Sequence, residues 1–569
     1  MLTRRNRTGA TAAIAAAAAI ALGLPGSAAL AGETPQVLLK PAEQKGPDGS
    51  TPLQWAIYRG DAAEVKRLLK AGANPGEANI YGASPMQMAA EAADAAIIRL
   101  LLDAGADVDS PNADGETALM LVARTGDVDA AKLLLKHGAK VDAREHFGDQ
   151  TALMWASARR HPQMMELLVA HGADVNARSV WRNWERHITA EGRAKRTNTG
   201  GLTPLMYAAR ENCAACVDVL LKHHVDVDKP DPDGVAPVTI AIMNDNWDIA
   251  KRLIDAGADV NQWDMYGQAP LYAAITAGVD STGNRAGASL DAPNKTSGRE
   301  IVRLLLDKGA NPNMQLFYRP GSGGRGGARG TTPLMAAAGD DDVDLVKLLL
   351  AHGADAKLYQ SDNQTPIMAA LGARAFAGGA GGFPPAVAAP GGGGERTLEV
   401  LKLLHDAGTD INVMAIQHHM LRTRGGSALH YAVRAGSKAA IQQLIAWGAD
   451  LNARDLDGLT ALDYAMARGF VGFQQVRQPP RLDLAKVLRD AGANVELAKL
   501  PDWPPVGPPF IVEPTIWPLE PSDGLRAASI QYPPMYDKVT PAPVRPAASA
   551  QPSAAPVPSK APPIAQVQQ

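Results

Sequence analysis

The stretch GSTPLQWAIYRGDAAEVKRLLKAG, residues 49–72, decides the fold class of this chain. Thr51 suits a helix N-cap, because its hydroxyl can accept a backbone N–H that the first helical turn leaves unpaired. Pro52 follows at the first helical position, where its missing N–H costs least. Asp61 offers a second N-cap before another apolar run, which Gly72 can end in the left-handed conformation. The stretch therefore predicts a helix, a short turn and a second helix.

The same pattern recurs with a period of 33 residues. Its opening residue stands at Gly49, Gly82, Gly115, Gly148, Gly201, Gly234, Gly267, Gly330, Asn363, Gly425 and Gly458. One helical pair of this size cannot cover its own apolar face, so successive pairs must stack around a shared core. The sequence predicts an all-α solenoid of about eleven helix-turn-helix repeats over residues 48–497.

Six longer segments interrupt the period and are predicted to be insertions at the edges of the solenoid. Three enlarge loops between repeats (178–200, 314–330 and 413–424), and three enlarge the turn within a repeat (277–298, 372–396 and 469–480). Edge insertions leave the stacking of the repeats intact.

The markers Thr-Pro-Leu and Leu-Leu-x-x-Gly-Ala, together with the period, resemble the ankyrin repeat family over about residues 48–497. The resemblance implies an ankyrin solenoid, and exported ankyrin proteins of acidobacterial type are the nearest in pattern. One departure concerns the histidine that follows Thr-Pro-Leu in the family, because His430 alone fills that position here. Methionine replaces it in five repeats, which predicts weaker hydrogen bonding of the loops. His224 stands where a glycine usually ends the second helix, in a backbone region that histidine tolerates.

The two ends of the chain differ from the repeats in composition. Arg4, Arg5 and Arg7 precede an alanine-rich run, and Ala29-Leu30-Ala31 offers a cleavage pattern, so residues 1–31 are predicted to be a signal peptide. The run is too short and weakly apolar for a stable span, although an uncleaved anchor is the alternative. We expect a periplasmic or secreted protein with cleavage near residue 31, a linker at 32–47 and a proline-rich disordered tail at 498–569. Residues 501–520 are a hypothetical cap on the last repeat.

The insertion at 178–200 carries the sharpest binding pattern. It combines tryptophan with positive charge, and both residue types dominate protein-interface hot spots. The candidate partner-binding residues are Trp181, Arg182, Trp184, Arg186, Arg193, Lys195 and Arg196. The alternative is that both tryptophans pack back onto neighbouring repeats while the basic residues are solvated.

Cys213 and Cys216 are the two cysteines of the chain and fall at a predicted helix N-terminus. That position favours a structural thiol pair or a local disulfide, and the βαβ setting of a redox enzyme is absent. Gly321-x-Gly323-x-x-Gly326 lies in a low-complexity loop and is interpreted as a linker, because no strand precedes it. The run 340–342 of aspartates is interpreted as a helix cap. We therefore expect no enzyme, no cofactor and no metal.

The leading hypothesis is a non-catalytic scaffold that binds a protein partner, without nucleic acid and as a monomer. The net charge of −3 argues against a general polyanion-binding protein. A binder of an anionic cell-wall polymer, using the 178–200 insertion, is the alternative. A thiol-redox protein centred on Cys213 and Cys216 ranks last.

Overall fold

The structure is a computed structural model that describes residues 45–182, 199–264, 267–278, 294–316, 330–360, 363–372, 394–415, 425–456, 458–467 and 480–495. The predicted signal peptide at 1–31, the tail at 498–569 and most of the six insertions lie outside these residues.

The described residues form eleven helical pairs, so the predicted all-α repeat architecture is confirmed. The first helices of the pairs are α1 (Pro52–Tyr58), α3 (Pro85–Glu91), α5 (Ala118–Thr125), α7 (Ala152–Ala158), α9 (Pro204–Arg210), α11 (Pro237–Met243), α13 (Pro270–Gly278), α15 (Pro333–Gly339), α17 (Pro366–Ala370), α19 (Ala428–Ala435) and α21 (Ala461–Ala465). The second helices are α2 (Ala62–Lys70), α4 (Ala95–Asp103), α6 (Val128–Lys136), α8 (Pro162–Ala170), α10 (Ala214–Lys222), α12 (Trp247–Asp255), α14 (Gly298–Asp307), α16 (Val343–Ala351), α18 (Glu395–Asp406), α20 (Lys438–Ala446) and α22 (Leu482–Asp490). A two-residue antiparallel pair, β1 (Trp181–Arg182) with β2 (Thr199–Gly200), is the one strand pair among the described residues.

The helices of the first repeat begin directly after their predicted N-cap residues. In the first repeat the Thr51 hydroxyl accepts the N–H of Gln54 at 3.3 Å, and the Gln54 side chain accepts the N–H of Thr51 at 2.8 Å. The Asp61 carboxylate accepts the N–H of Glu64 at 2.9 Å and starts the second helix. Such caps each contribute about 1 kcal/mol, so short helices begin at defined residues.

Stacking buries one continuous core that runs from Leu53 to Ala493. Each first helix packs against the first helix of the next repeat, along the whole array. Because every repeat shares its apolar side chains with its neighbours, stability is distributed along the array as nearest-neighbour contacts. None of the described helices is long and apolar enough to cross a membrane.

A ladder of Asp and Asn side chains joins the loops of successive repeats. Asp109 accepts the N–H of Lys140 at 2.9 Å, for example. Asn261 both accepts the N–H of Asn311 at 2.6 Å and donates to the carbonyl of Gly309 at 2.9 Å. Further members are Asp142, Asn176, Asp228, Asn313, Asn412 and Asn452.

Polar side chains at the third position of the first helices form a second set of links between repeats. His430 donates from Nε2 to the Leu459 carbonyl at 3.1 Å, while its Nδ1 accepts the N–H of Ser427 at 3.1 Å. Gln54 makes the equivalent bonds in the first repeat, donating to the Ala83 carbonyl at 2.7 Å. The departure from the family histidine is therefore compensated at the N-terminal end by glutamine, which the sequence reasoning missed.

Candidate protein-binding surface

The loops between repeats form narrow hairpins, called fingers here. In the first finger, Asn79 Oδ1 accepts the backbone N–H groups of Tyr81 and Ala83, each at 3.0 Å. Gly82 closes the turn at φ 76°, a conformation that favours glycine. The backbone is thus satisfied inside the turn, and Ile80 and Tyr81 are left at its tip.

Neighbouring fingers are joined through their backbones into a row. The N–H of Ile80 donates to the Asp48 carbonyl at 3.2 Å, and the N–H of His146 donates to the Asp114 carbonyl at 2.7 Å. These bonds fix the fingertips relative to one another, so their side chains form one edge rather than separate loops.

Large apolar side chains are exposed mainly along this edge. Five of the nine exposed ones in the described ranges lie on fingers, and two are the last residues of first helices. The finger residues are Ile80, Tyr81, Phe147, Val180 and Leu456, and the helix residues are Tyr58 and Met243. Tyr81 is 64% exposed and Phe147 63% exposed. Tyrosine and phenylalanine supply large contact areas in interfaces, so the edge has the composition of a docking surface.

Arginines at the C-terminal ends of two first helices lie over aromatic rings. Arg124 lies over the ring of Trp155, 5.5 Å from its centroid, and its guanidinium pairs with Glu91 of the preceding repeat at 3.2 Å. Arg210 lies over the ring of Tyr207 at 5.1 Å. Cation–π contacts of this kind contribute about 0.5–1 kcal/mol at exposed sites. Through its ion pair and its ring contact, Arg124 links the first helices of repeats 2, 3 and 4.

The 178–200 insertion leaves the finger row at a defined place. β1 pairs with β2, with Trp181 opposite Gly200 and Arg182 opposite Thr199. The N–H of Val180 donates to the Gly148 carbonyl at 2.7 Å, which ties the base of the insertion to the preceding finger. Of the predicted partner-binding residues, Trp181 and Arg182 are thus placed in the finger row. The others lie outside the described residues: Trp184, Arg186, Arg193, Lys195 and Arg196.

Cys213 and Cys216 lie at the start of α10 and are joined by a disulfide, with their Cα atoms 5.2 Å apart. Cys213 is the N-cap, and its sulfur accepts the N–H of Cys216 at 3.2 Å. Both side chains are buried, Cys216 completely. A buried pair is poorly accessible to a thiol substrate, so this geometry favours a structural role over redox catalysis.

The aspartate run at 340–342 is used by the fold. Asp342 caps α16 by accepting the N–H of Leu345 at 3.1 Å, and it pairs with Arg299 at 2.9 Å. Asp341 accepts a hydrogen bond from the Thr397 hydroxyl at 3.0 Å, and burial raises its pKa. Within the described ranges, no cluster of three histidine, cysteine or acidic side chains is arranged to hold a metal ion.

The finger that contains Asp231 has a carboxyl group with a raised pKa. Asp231 accepts the N–H groups of Asp233 and Val235 at 2.9 and 2.8 Å. Burial, with the charge of Asp233 adding to it, raises the pKa of Asp231 to about 7. The charge of this fingertip therefore depends on pH close to neutrality.

The exposed fingertip residues were missed by the sequence reasoning. Ile80, Tyr81, Phe147 and Leu456 stand directly before the glycine that opens a repeat or one or two residues earlier, in turns that are otherwise polar. An apolar residue in a two-residue turn tip cannot be buried by its own hairpin, so this placement is a usable sequence sign of a contact surface.

A stack of helical pairs joined by projecting hairpin loops defines the class of this protein: a helical-repeat solenoid. The sequence pattern of the family "Ankyrin repeats (3 copies)" matches residues 27–112, 105–179, 186–264, 205–282, 291–377 and 387–498. The chain belongs to the ankyrin repeat family.

Several curated proteins are similar over part of the chain. The B-cell lymphoma 3 protein homolog of Mus musculus is 32% identical over 192 residues, which are 33% of this chain and 36% of that protein. The nuclear factor NF-kappa-B p105 subunit of Gallus gallus is 31% identical over 312 residues, 52% of this chain and 25% of that protein. The potassium channel AKT2/3 of Arabidopsis thaliana is 35% identical over 172 residues, 30% of this chain and 18% of that protein. The matches thus span less than half the length of each relative.

Among solved structures, the ankyrin repeat domain of Bcl-3 is similar, with a TM-score of 0.36 and 23% sequence identity. The match covers 45% of this chain and 99% of that chain.

Proposed function

We propose that this protein is a non-catalytic scaffold that binds a protein partner along its finger row and first helices. Ankyrin repeats act generally as protein-interaction modules. The observation that carries the proposal is the presence of exposed apolar side chains on several fingers, Ile80, Tyr81 and Phe147 among them. Exposed apolar area gains free energy when a partner covers it, by about 25 cal/mol per Å².

The test is capture of a partner by the full chain from a crosslinked envelope fraction, with identification by mass spectrometry. The double variant Tyr81→Ser/Phe147→Ser should lower recovery of the partner strongly. The matched control is Leu482→Ser/Val495→Ser, which removes two apolar side chains of similar exposure from the last repeat, away from the fingers of the first repeats. Equal recovery with both double variants would refute the assignment of the binding edge.

The 178–200 insertion is proposed as a further part of the same surface. Its base lies in the finger row, because β1 and β2 continue directly from Val180 and into Gly201. Replacing Trp181 and Trp184 by alanine should weaken partner capture. If capture is unchanged, the insertion is not part of the contact, while the fingertip result stands by itself.

A second candidate function is binding of an anionic cell-wall polymer by the same insertion. The six basic residues against two acidic ones between 178 and 200 favour it. Polymer binding that falls steeply with salt, without any protein recovered by crosslinking, would select this candidate instead.

We also propose that the scaffold is exported, as an ankyrin protein of acidobacterial type. This rests on the basic start, apolar run and small-residue pattern of residues 1–31. Cell fractionation with N-terminal sequencing of the recovered protein tests it. An N-terminus near residue 32 in the envelope or medium is expected, and an intact Met1 in the cytoplasmic fraction would contradict export.

A further inference from the structure

The outer face of repeat 11 closes the part of the stack that the structure describes. Second helices of neighbouring repeats pack side by side along most of the array, and α22 packs in this way against α20. No helix after α22 belongs to the described residues. The side of α22 that faces away from α20 is therefore where a further repeat would stack, and its side chains define the kind of segment that can cover it.

Leu482 and Arg489 lie on one face of α22. They are seven residues apart, which is about two helical turns, so their side chains point in nearly the same direction. Leu482 is 65% exposed directly after the N-cap residue. Apolar residues at the same position in other repeats are buried or partly buried, and Trp247 and Val343 are 0% and 7% exposed. The exposure of the leucine is thus particular to repeat 11.

Val495 shows the same difference at the other edge of the repeat. It follows the helix-ending glycine by three residues, and Val260 and Ile411, which stand at that position in repeats 6 and 9, are 7% and 6% exposed. Val495 is 67% exposed. The ladder still holds the chain here, because Asn452 accepts the N–H of Asn494 at 2.8 Å. Both edges of repeat 11 therefore expose apolar side chains at positions that are covered where another repeat follows.

Arg489 adds a positive charge to this face. The penultimate residue of the second helix is Leu102 in repeat 2 and Ile254 in repeat 6, and these are 8% and 2% exposed. Arg489 is exposed; its Nη2 lies 3.5 Å from the sulfur of Met466, and it forms no ion pair with another residue of the described ranges. A segment that covers this face must therefore supply a carboxylate as well as apolar side chains.

The chain itself supplies such a segment shortly after repeat 11. Residues 501–520 contain three acidic residues and no lysine or arginine. Their acidic and large apolar residues alternate along the segment: Asp502, Trp503, Phe510, Ile511, Glu513, Trp517 and Glu520. The segment therefore matches the face in both charge and apolar character.

The connection between the two is short enough to bring them together. The segment begins six residues after Val495, and six residues span at most about 20 Å. The nine residues of α22 make a helix about 14 Å long, so the segment can reach every part of the face. A short tether also gives an effective concentration in the millimolar range, which favours an intrachain contact over one with a separate molecule.

We propose that residues 501–520 dock on the outer face of repeat 11 and cap the array, with a carboxylate of the segment paired with Arg489. A terminal repeat lacks the neighbour that covers every other repeat, so a docked segment stabilises the end of the stack. The inference goes beyond the scaffold function and does not depend on where a partner binds.

Hydrogen exchange of the full chain near pH 7, corrected for intrinsic exchange, tests the docking. Amides of residues 501–520 should exchange more slowly than those of residues 541–569. In Trp503→Ser/Trp517→Ser, exchange of α22 and of the segment should become about tenfold faster, because the apolar contacts of the cap are lost. The matched control is Tyr532→Ser/Tyr536→Ser, which removes two aromatic rings beyond the segment and should change exchange of α22 less than about twofold.

A second pair of variants tests the charge. Arg489→Glu should make exchange of residues 501–520 about threefold faster, and Arg99→Glu, which reverses an exposed charge on α4, should leave it unchanged. Equal exchange in residues 501–520 and 541–569, an equal effect of the tyrosine variant, or no effect of Arg489→Glu would overturn the proposal. Protection of the segment that rises with protein concentration would also overturn it, in favour of docking on a second copy. These variants keep Tyr81 and Phe147, so the partner-capture test is decided separately.

Discussion

Replacing His430 by glutamine should remove an acid sensitivity from the tenth repeat. The Nδ1 atom of His430 accepts the N–H of Ser427, and its Nε2–H donates to the Leu459 carbonyl. These two hydrogen bonds require a neutral imidazole with its proton on Nε2. A proton added at Nδ1 would point at the N–H of Ser427 and would break the hydrogen bond that Nδ1 accepts from it.

The direction of the pH effect follows from the environment of the ring. Burial lowers the pKa of His430 to about 4, with the nearby positive charge of Arg434 adding to the effect and Asp455 and Asp463 opposing it. The unfolded chain has a pKa near 6.5 at this residue, so it binds more protons than the folded chain between these values. The contribution is present above about pH 6.5 and is lost as the pH falls toward 4. Near pH 5 the loss amounts to about 2 kcal/mol.

Hydrogen exchange of residues 425–456, measured near pH 7.5 and near pH 5 and corrected for intrinsic exchange, reports the stability of this repeat. The wild type should lose about 2 kcal/mol more than His430→Gln on acidification. Gln54 makes the same pair of bonds in the first repeat, so His430→Gln should fold normally at neutral pH. His430→Met is a second control, since it removes the bonds at every pH and should show no extra acid loss. Parallel pH profiles for the wild type and His430→Gln would refute the reasoning.

Three further changes test the backbone, the cysteine pair and the ladder between repeats. Ala93 adopts φ 53°, and Gly60 stands at the equivalent position of the first repeat with φ 67° and open space where a Cβ would lie. Because this left-handed conformation is strained for alanine, Ala93→Gly should raise the free energy of unfolding in urea by about 1 kcal/mol, and Gly60→Ala should lower it by about 1 kcal/mol. The double variant Cys213→Ser/Cys216→Ala should keep its fold and lose at most about 2 kcal/mol, because serine caps helices well and the closed loop is short. Mass spectrometry after alkylation should show no free thiol in the wild type. Lys357 stands at a position where the other repeats have the Asp or Asn of the ladder. Lys357→Asn should restore a hydrogen bond worth about 1 kcal/mol, and should therefore slow hydrogen exchange at the start of the ninth finger. Unchanged exchange there would contradict a role for the ladder.

The helical pairs were predictable because their determinants are local. Thr51 and Asp61 cap the helices that follow them, and the 33-residue period locates the other repeats. His224 was expected to tolerate the left-handed region, and it adopts φ 57° there. These features depend only on residues that are close together in the sequence, so the sequence alone is enough to predict them.

The contact edge was only partly predictable, because it depends on how repeats stack. The bond from Gln54 to the next loop and the placement of Arg124 over Trp155 both join residues about one repeat apart. Their geometry requires the rotation between repeats, which the sequence does not state. The backbone of Trp181 lies in the finger row, and its contacts with a partner stay a prediction.

The side chain at the fourth position of each first helix differs in size from repeat to repeat, which limits where a partner can contact these helices. At the fourth helical position, Trp155 and Tyr207 stand in repeats 4 and 5, whereas Ala273, Ala336 and Ala369 stand in repeats 7–9. The small residues do not mark a weak core, because the apolar side chains of the middle repeats belong to the same continuous buried cluster as the others. They mark repeats that support the stack while offering little side-chain area of their own. Any contact made by this helical position should therefore fall outside repeats 7–9, which support the stack.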